Sequence, residues 1–144
     1  MRPEHLATPE ALARFLQAFE DGTLDKYEWT HGAHVAAAAW YLHGSSYDAV
    51  LPLMRHRIQS FNLSVGGQNT PTSGYHETLT RFWLRIVDHL LHTQKPSTSL
   101  AAAQLAVANY GEARALHNEY YSGDVVKDTA ARLGWRSPDL KSLP

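Results

Sequence analysis

The sequence predicts an all-α protein: a single-domain, irregular helical bundle of five to seven helices over residues 1–144. Three observations predict this. Apolar residues recur at i, i+3, i+4 and i+7 through several stretches, which is the period of a helix with one buried face. Hydroxyl residues stand just before those stretches, where helix N-caps belong. No stretch shows the strict apolar–polar alternation of a half-buried strand. A length of 144 residues suits one domain, and a chain of about this size buries roughly 68–70% of its unfolded surface, enough for a core without staples.

The elements follow in order. Thr8 caps a first helix, Pro9 suits its first position and Glu10 its first turn, and Leu12, Phe15, Leu16 and Phe19 follow at helical spacing before Asp21-Gly22 ends it. Thr30 caps a second helix through His31, His34, the alanine run 36–39 and Leu42, stopped at His43-Gly44. The small residues there let another helix approach closely. A third helix begins at Ser45 or Ser46 and buries Val50, Leu51, Leu53, Met54, Ile58 and Phe61. The run Gly66 to Gly74 is rich in turn formers and hydroxyls. A fourth helix runs from near Tyr75 to about His92, and Gln94-Lys95-Pro96 breaks it. Ser97 or Thr98 caps a fifth, Ala-rich helix to about Asn109, and Glu112–Tyr121 and Asp124–Leu133 read as two more short helices. The tail is extended and is expected to pack back through Trp135 and Leu140.

Composition narrows the function classes. The chain is 44% hydrophobic and 19% charged with a formal net charge of −1, ordinary globular chemistry without the basic field that nucleic acid or an anionic membrane requires. There is no cysteine, which removes disulfides, thiolate metal sites and a cysteine nucleophile. No leader pattern and no apolar run of about 18 residues occurs, so a cytoplasmic protein is expected.

Nine histidines make position worth mapping. On the fourth helix Leu79, Phe82, Trp83, Ile86, Val87 and Leu90 form the inward stripe, and counting back places His76 on it, at the helix start. On the second helix His31 and His34 are three apart and share a face with Val35, Ala38, Tyr41 and Leu42. If these helices pack side by side, His31, His34 and His76 meet in one polar pocket. Three neutral imidazoles with an open position suit a divalent transition metal such as zinc, iron, nickel or copper. Glu77, Glu28 or Glu20 is the candidate carboxylate to complete the set. Glu77 is also the candidate general base and Tyr75 the candidate acid.

Asn69, Thr70 and Thr72, in the hydroxyl-rich loop, are candidate contacts for a small polar substrate at the pocket mouth. Arg81 could bind an acidic group, although a solvated face paired with Glu77 explains it too. Trp83, with Trp29, Trp40, Trp135, Tyr120 and Tyr121, could line a pocket or form a homodimer face, or simply fill the core. His117, with Glu112 nearby, could close the pocket. His89 and His92 suit the negative end of the helix dipole, and His5, His43 and His56 read as solvated. The plain alternative for the cluster is that His76 caps its own helix and Asn69 and Thr72 build the turn.

The segments Trp29-Thr30-His31-Gly32-Ala33-His34 and Asn69 through Trp83 resemble a family of small helical bacterial proteins with no known activity, and Tyr120-Tyr121-Ser122 and Trp135 through Leu140 resemble that family's ending. Gly32 stands where a larger residue is expected. The resemblance implies a bacterial cytoplasmic helical protein and emphasises His31, His34 and His76. The leading expectation is therefore a metal-dependent enzyme acting on a small polar molecule through a histidine-rich pocket between the second and fourth helices. The alternative is a metal-free helical module that binds a small molecule or joins an assembly.

Overall fold

A side chain caps the N-terminus of every α-helix. In a computed structural model covering residues 1–144, the helices are α1 (Pro9–Asp21), α2 (His31–Leu42), α3 (Tyr47–Ser64), α4 (Glu77–Gln94), α5 (Ser99–Tyr110) and α6 (Thr129–Leu133). Thr8, Thr30, Ser46, His76, Thr98 and Asp128 each accept a hydrogen bond from the backbone N–H three residues on. Each cap satisfies one of the donors a helix start leaves free, and so fixes where the helix begins.

Short 3-10 turns occupy Pro3–Leu6, Lys26–Glu28, Arg114–Glu119 and Val125–Lys127. Two expected helices thus differ from the sequence reading. The 112–121 segment tightens into the 3-10 turn Arg114–Glu119. The 124–133 segment divides, because Asp124 caps the turn at Lys127 and Asp128, in an extended conformation, accepts from the Ala131 N–H and starts α6 afresh at Thr129. Segments this short gain too little to offset helix nucleation: the first, without a side-chain cap, stays a 3-10 turn, and in the second the Asp124 and Asp128 caps set the division.

The helix α2 runs through the middle. Ala33, Val35, Ala36, Ala37, Ala38, Ala39 and Leu42 are all buried, so it has no wet face over most of its length. Its most extensive packing is against α5, whose Ala102, Ala103 and Ala106 are fully buried. Alanine facing alanine brings two backbones close, as the small-residue run implies. Around this pair α1 contributes Leu12, Phe15, Leu16 and Phe19, and α3 contributes Val50, Met54, Ile58 and Phe61.

The helix α4 is buried on two sides. Leu84, Val87, Leu90 and Leu91 join the main core, while Phe82 and Ile86 pack with Tyr120, Tyr121, Val125 and Ala131 in a second cluster. The inward face is therefore wider than one stripe, and Leu79 and Trp83 are only half-buried on it. Thr78, fully buried, ties down the tail: its hydroxyl donates to the Gly134 carbonyl at 2.8 Å and accepts from the Arg136 N–H at 2.9 Å. Trp135 lies under the Arg81 guanidinium, 4.6 Å away. Leu140 does not pack back as expected, since 57% of it is exposed. The backbone N–H groups of Asp139 and Leu140 instead both bond to the Tyr120 carbonyl, so polar anchors hold the segment.

The loop before α4 is built by Asn69. Its side-chain oxygen accepts from Asn62 and from the Tyr75 N–H, and its amide nitrogen donates to the Gln59 carbonyl. Gly74 has φ 82°, and a Cβ there would sit 1.9 Å from the Gln68 carbonyl oxygen, so only glycine fits. This fold of the loop delivers Tyr75 and His76 to the start of α4. No helix is long and apolar enough to cross a membrane.

Candidate functional site

The N-terminal ends of α2 and α4 open onto one cavity of about 460 Å³, walled also by α3 and closed by the segments around Arg114, Val126 and Arg132. That volume lies in the range of small-molecule sites, roughly 300–1,000 Å³. Nine of its nineteen lining residues are hydrophobic, so the site has an apolar floor with polar groups at chosen points. His31, His34, His76 and His117 all line it. A second depression, near the N-terminus, holds Arg2, His5 and Glu28, but Glu28 pairs with both Arg2 at 3.2 Å and His5 at 2.8 Å and leaves little unsatisfied.

Backbone carbonyls set the histidine tautomers, because a carbonyl oxygen can only accept. His31 Nε2–H donates to the Tyr110 carbonyl at 3.0 Å, and its ring meets Trp83 edge-on at 4.6 Å. His34 Nδ1–H donates to the Thr30 carbonyl at 2.7 Å, one turn back, with its ring 4.3 Å from Trp29. His117 Nδ1–H donates to the Arg114 carbonyl at 3.0 Å. The second ring nitrogen of each has no partner in the chain and is not sealed from open space. Burial is the main cause that holds His31 below the usual histidine range, and it pushes His34 down to about 4. Both rings are therefore neutral at physiological pH, with His31 Nδ1 and His34 Nε2 as free lone pairs.

His76 differs. Its Nδ1 accepts from the Leu79 N–H at 3.2 Å, and its Nε2–H donates to the Val125 carbonyl at 2.9 Å. Both nitrogens are used. Burial, chiefly, keeps its pKa below the ordinary value. The ring caps α4 and pins the closing segment onto it, which is the plain alternative that the sequence allowed.

The donors do not fit the expected metal centre. His76 has no free nitrogen, and no group of three histidine or carboxylate side chains is placed to hold an ion. The carboxylates lie elsewhere. Glu77 is gripped by Arg55 through both oxygens, at 2.9 and 2.8 Å, and accepts from the Tyr75 hydroxyl at 2.8 Å, with Arg81 at 3.8 Å. The Arg55 contact, foremost, holds its pKa down, so it is an ionised structural anchor and not a free base. Glu28 pairs with His5 and Arg2, and Glu20 with Tyr41 and Arg57.

The remaining expected site residues divide. Tyr75 and Trp83 line the cavity. Burial raises the Tyr75 pKa, and its proton is committed to Glu77, which disfavours a role as acid. Asn69, Thr70, Thr72 and Arg81 are not in the lining. Asn69 braces the loop, Thr70 accepts from the Thr72 N–H in an exposed turn, and Arg81 packs on Trp135. Of the aromatics offered for a dimer face, Tyr120 and Tyr121 are buried and Trp29 stacks on Phe19 at 3.8 Å. His5 and His43, read as solvated, are partnered: His5 with Glu28, His43 with Ser99 and the Pro96 carbonyl. Trp29, one of the aromatics offered as a pocket lining, does line the cavity, together with Arg114 and Arg132, which the sequence reading did not place there. Nothing local to residues 114 or 132 marks them, because α4 must first be docked before they face it.

No family model, no curated protein and no solved structure matches the chain.

Proposed function

We propose that this protein is a metal-free helical module that binds a small organic molecule in the cavity between α2, α3 and α4. The observation that carries the reading is the set of imidazoles whose other nitrogens are spent on backbone carbonyls, leaving His31 Nδ1 and His34 Nε2 unpartnered beside an apolar wall. Such lone pairs accept an N–H or O–H from a ligand. For a ligand with a mildly acidic hydrogen, a neutral imidazole is also the form that can take a proton. Trp83 and Trp29 supply flat apolar surface for a ring or an aliphatic body. A metal-dependent reaction at these residues is the less supported reading, since His76 and Glu77, its expected ligands, are both fully engaged.

A ligand-observed NMR screen of mixed neutral and charged fragments tests this, run in parallel on Leu79→Trp, which adds bulk at the cavity wall. Hits that bind the native chain and are lost in the variant, at unchanged far-ultraviolet circular dichroism, support the reading. No hits, or hits that ignore the substitution, overturn it.

A further inference from the structure

We propose that the cavity takes a small organic anion, its negative head held by Arg132 and Arg114 and its flat apolar body laid against Trp83. This rests on the small-molecule reading above and names the ligand class. Among the nineteen lining residues the only charged side chains are Arg114 and Arg132; there is no aspartate or glutamate. Neither arginine has a carboxylate partner, whereas Arg2, Arg55, Arg57, Arg81 and Arg136 each have one.

Arg132 is held in place rather than neutralised. It donates to the Gly74 carbonyl at 2.6 Å and to the Val126 carbonyl at 3.1 Å. A guanidinium carries five N–H donors, so three remain for a ligand. Carbonyl contacts fix the fork without cancelling its charge, which is how a bidentate anion site is pre-organised. Arg114 is exposed at the rim with no hydrogen-bond or salt-bridge partner for its guanidinium.

The backbone adds the same sign. Two helices of 12 and 18 residues, α2 and α4, begin at the cavity, at Thr30–His31 and His76–Glu77. Helix starts carry partial positive charge and favour anions. The acids whose charge is felt at His31 and His76 are Glu112 and Asp128 respectively. Asp128 is occupied, capping α6 and lying 3.4 Å from Arg136, and Glu112 is exposed outside the lining. Two cations, two helix starts and neutral imidazoles therefore face a half-apolar space with no counter-ion.

A matched dye pair tests the claim: 8-anilinonaphthalene-1-sulfonate and N-phenyl-1-naphthylamine, which differ only by the sulfonate. Binding is read by dye fluorescence to native protein, Arg114→Met, Arg132→Met and Leu79→Trp, each checked by circular dichroism. The sulfonate dye is expected to bind the native chain about tenfold or more tighter than the neutral one. That preference, the ratio of the two affinities within one variant, should fall about tenfold in Arg132→Met and about threefold in Arg114→Met. Arg114→Met decides alone if Arg132→Met fails to fold, because Arg114 holds nothing in the chain. Equal affinity for the two dyes, or a preference that survives the arginine substitutions, overturns the anion proposal and leaves the cavity reading standing. Failure of both dyes to bind, or undiminished binding of both to Leu79→Trp, overturns the cavity reading with it.

Discussion

The ring of His76 joins α4 to Val125: its Nε2–H reaches the Val125 carbonyl at 2.9 Å while Nδ1 caps the helix at Leu79. One side chain thereby fixes both the start of α4 and the segment that closes the cavity. His76→Ala should lose the cap and orphan a buried carbonyl, lowering stability by about 1–3 kcal/mol. His76→Asn, which restores the cap but not the reach, should recover part of that loss. Urea unfolding of the three proteins checks it; an unchanged midpoint in His76→Ala would remove the structural role assigned to the ring.

Acid should destabilise the fold in two windows. His31, His34 and His76 have folded-state pKa values below 6.5, so each takes up a proton more readily when unfolded. Their contribution is complete above about 6.5 and is lost as the pH falls through the folded values, to about 4 for His34. Glu77 acts further down: its folded pKa lies below 4.5, so its contribution is present above 4.5 and disappears below its own lowered value. Urea midpoints measured from neutral to about pH 5 should fall steadily, with the slope reduced in His34→Gln. A flat profile over that range would contradict the burial of these rings.

Glu77→Gln should act on stability and not on the cavity. It replaces a buried carboxylate that Arg55 and Tyr75 both hold. A loss of about 1–3 kcal/mol is expected, less than for a fully buried pair because Arg55 is partly exposed. Its affinity for N-phenyl-1-naphthylamine should match that of the native chain. A lost or altered affinity in a variant with native circular dichroism would mean that Glu77 reaches the ligand after all.

Thr78→Val keeps the shape and removes the hydroxyl that serves both Gly134 and Arg136. Two backbone groups lose their partner, which should cost about 1–3 kcal/mol. Hydrogen exchange should quicken first at residues 134–136, ahead of α4 itself. Uniform acceleration across the chain would show that the tail is not separately anchored there.

Much of the fold was legible in the chain, and the reasons are local. Thr8, Thr30 and Thr98 cap where caps were expected, and the Ala36–Ala39 run packs on another small-residue helix. Counting along α2 and α4 also placed His31, His34 and His76 on one cavity. What each ring does there was not legible. The partners that decide it, Tyr110 for His31 and Val125 for His76, lie 79 and 49 residues away in sequence. Arg55 claims Glu77 across 22 residues, where the sequence offered only the neighbouring Arg81. Arg114 enters through an uncapped 3-10 turn and Arg132 through the short, Asp128-capped α6, and no periodicity records how either docks.

Long-range nitrogen–proton spectra of the histidine rings at neutral pH, before and after one equivalent of zinc, test the central claim most directly. The geometry predicts the Nε2–H tautomer for His31 and His76 and the Nδ1–H tautomer for His34, with His76 signals that zinc does not move. Concerted shifts of His31, His34 and His76 that saturate at one zinc per chain would contradict it and restore a three-histidine metal centre.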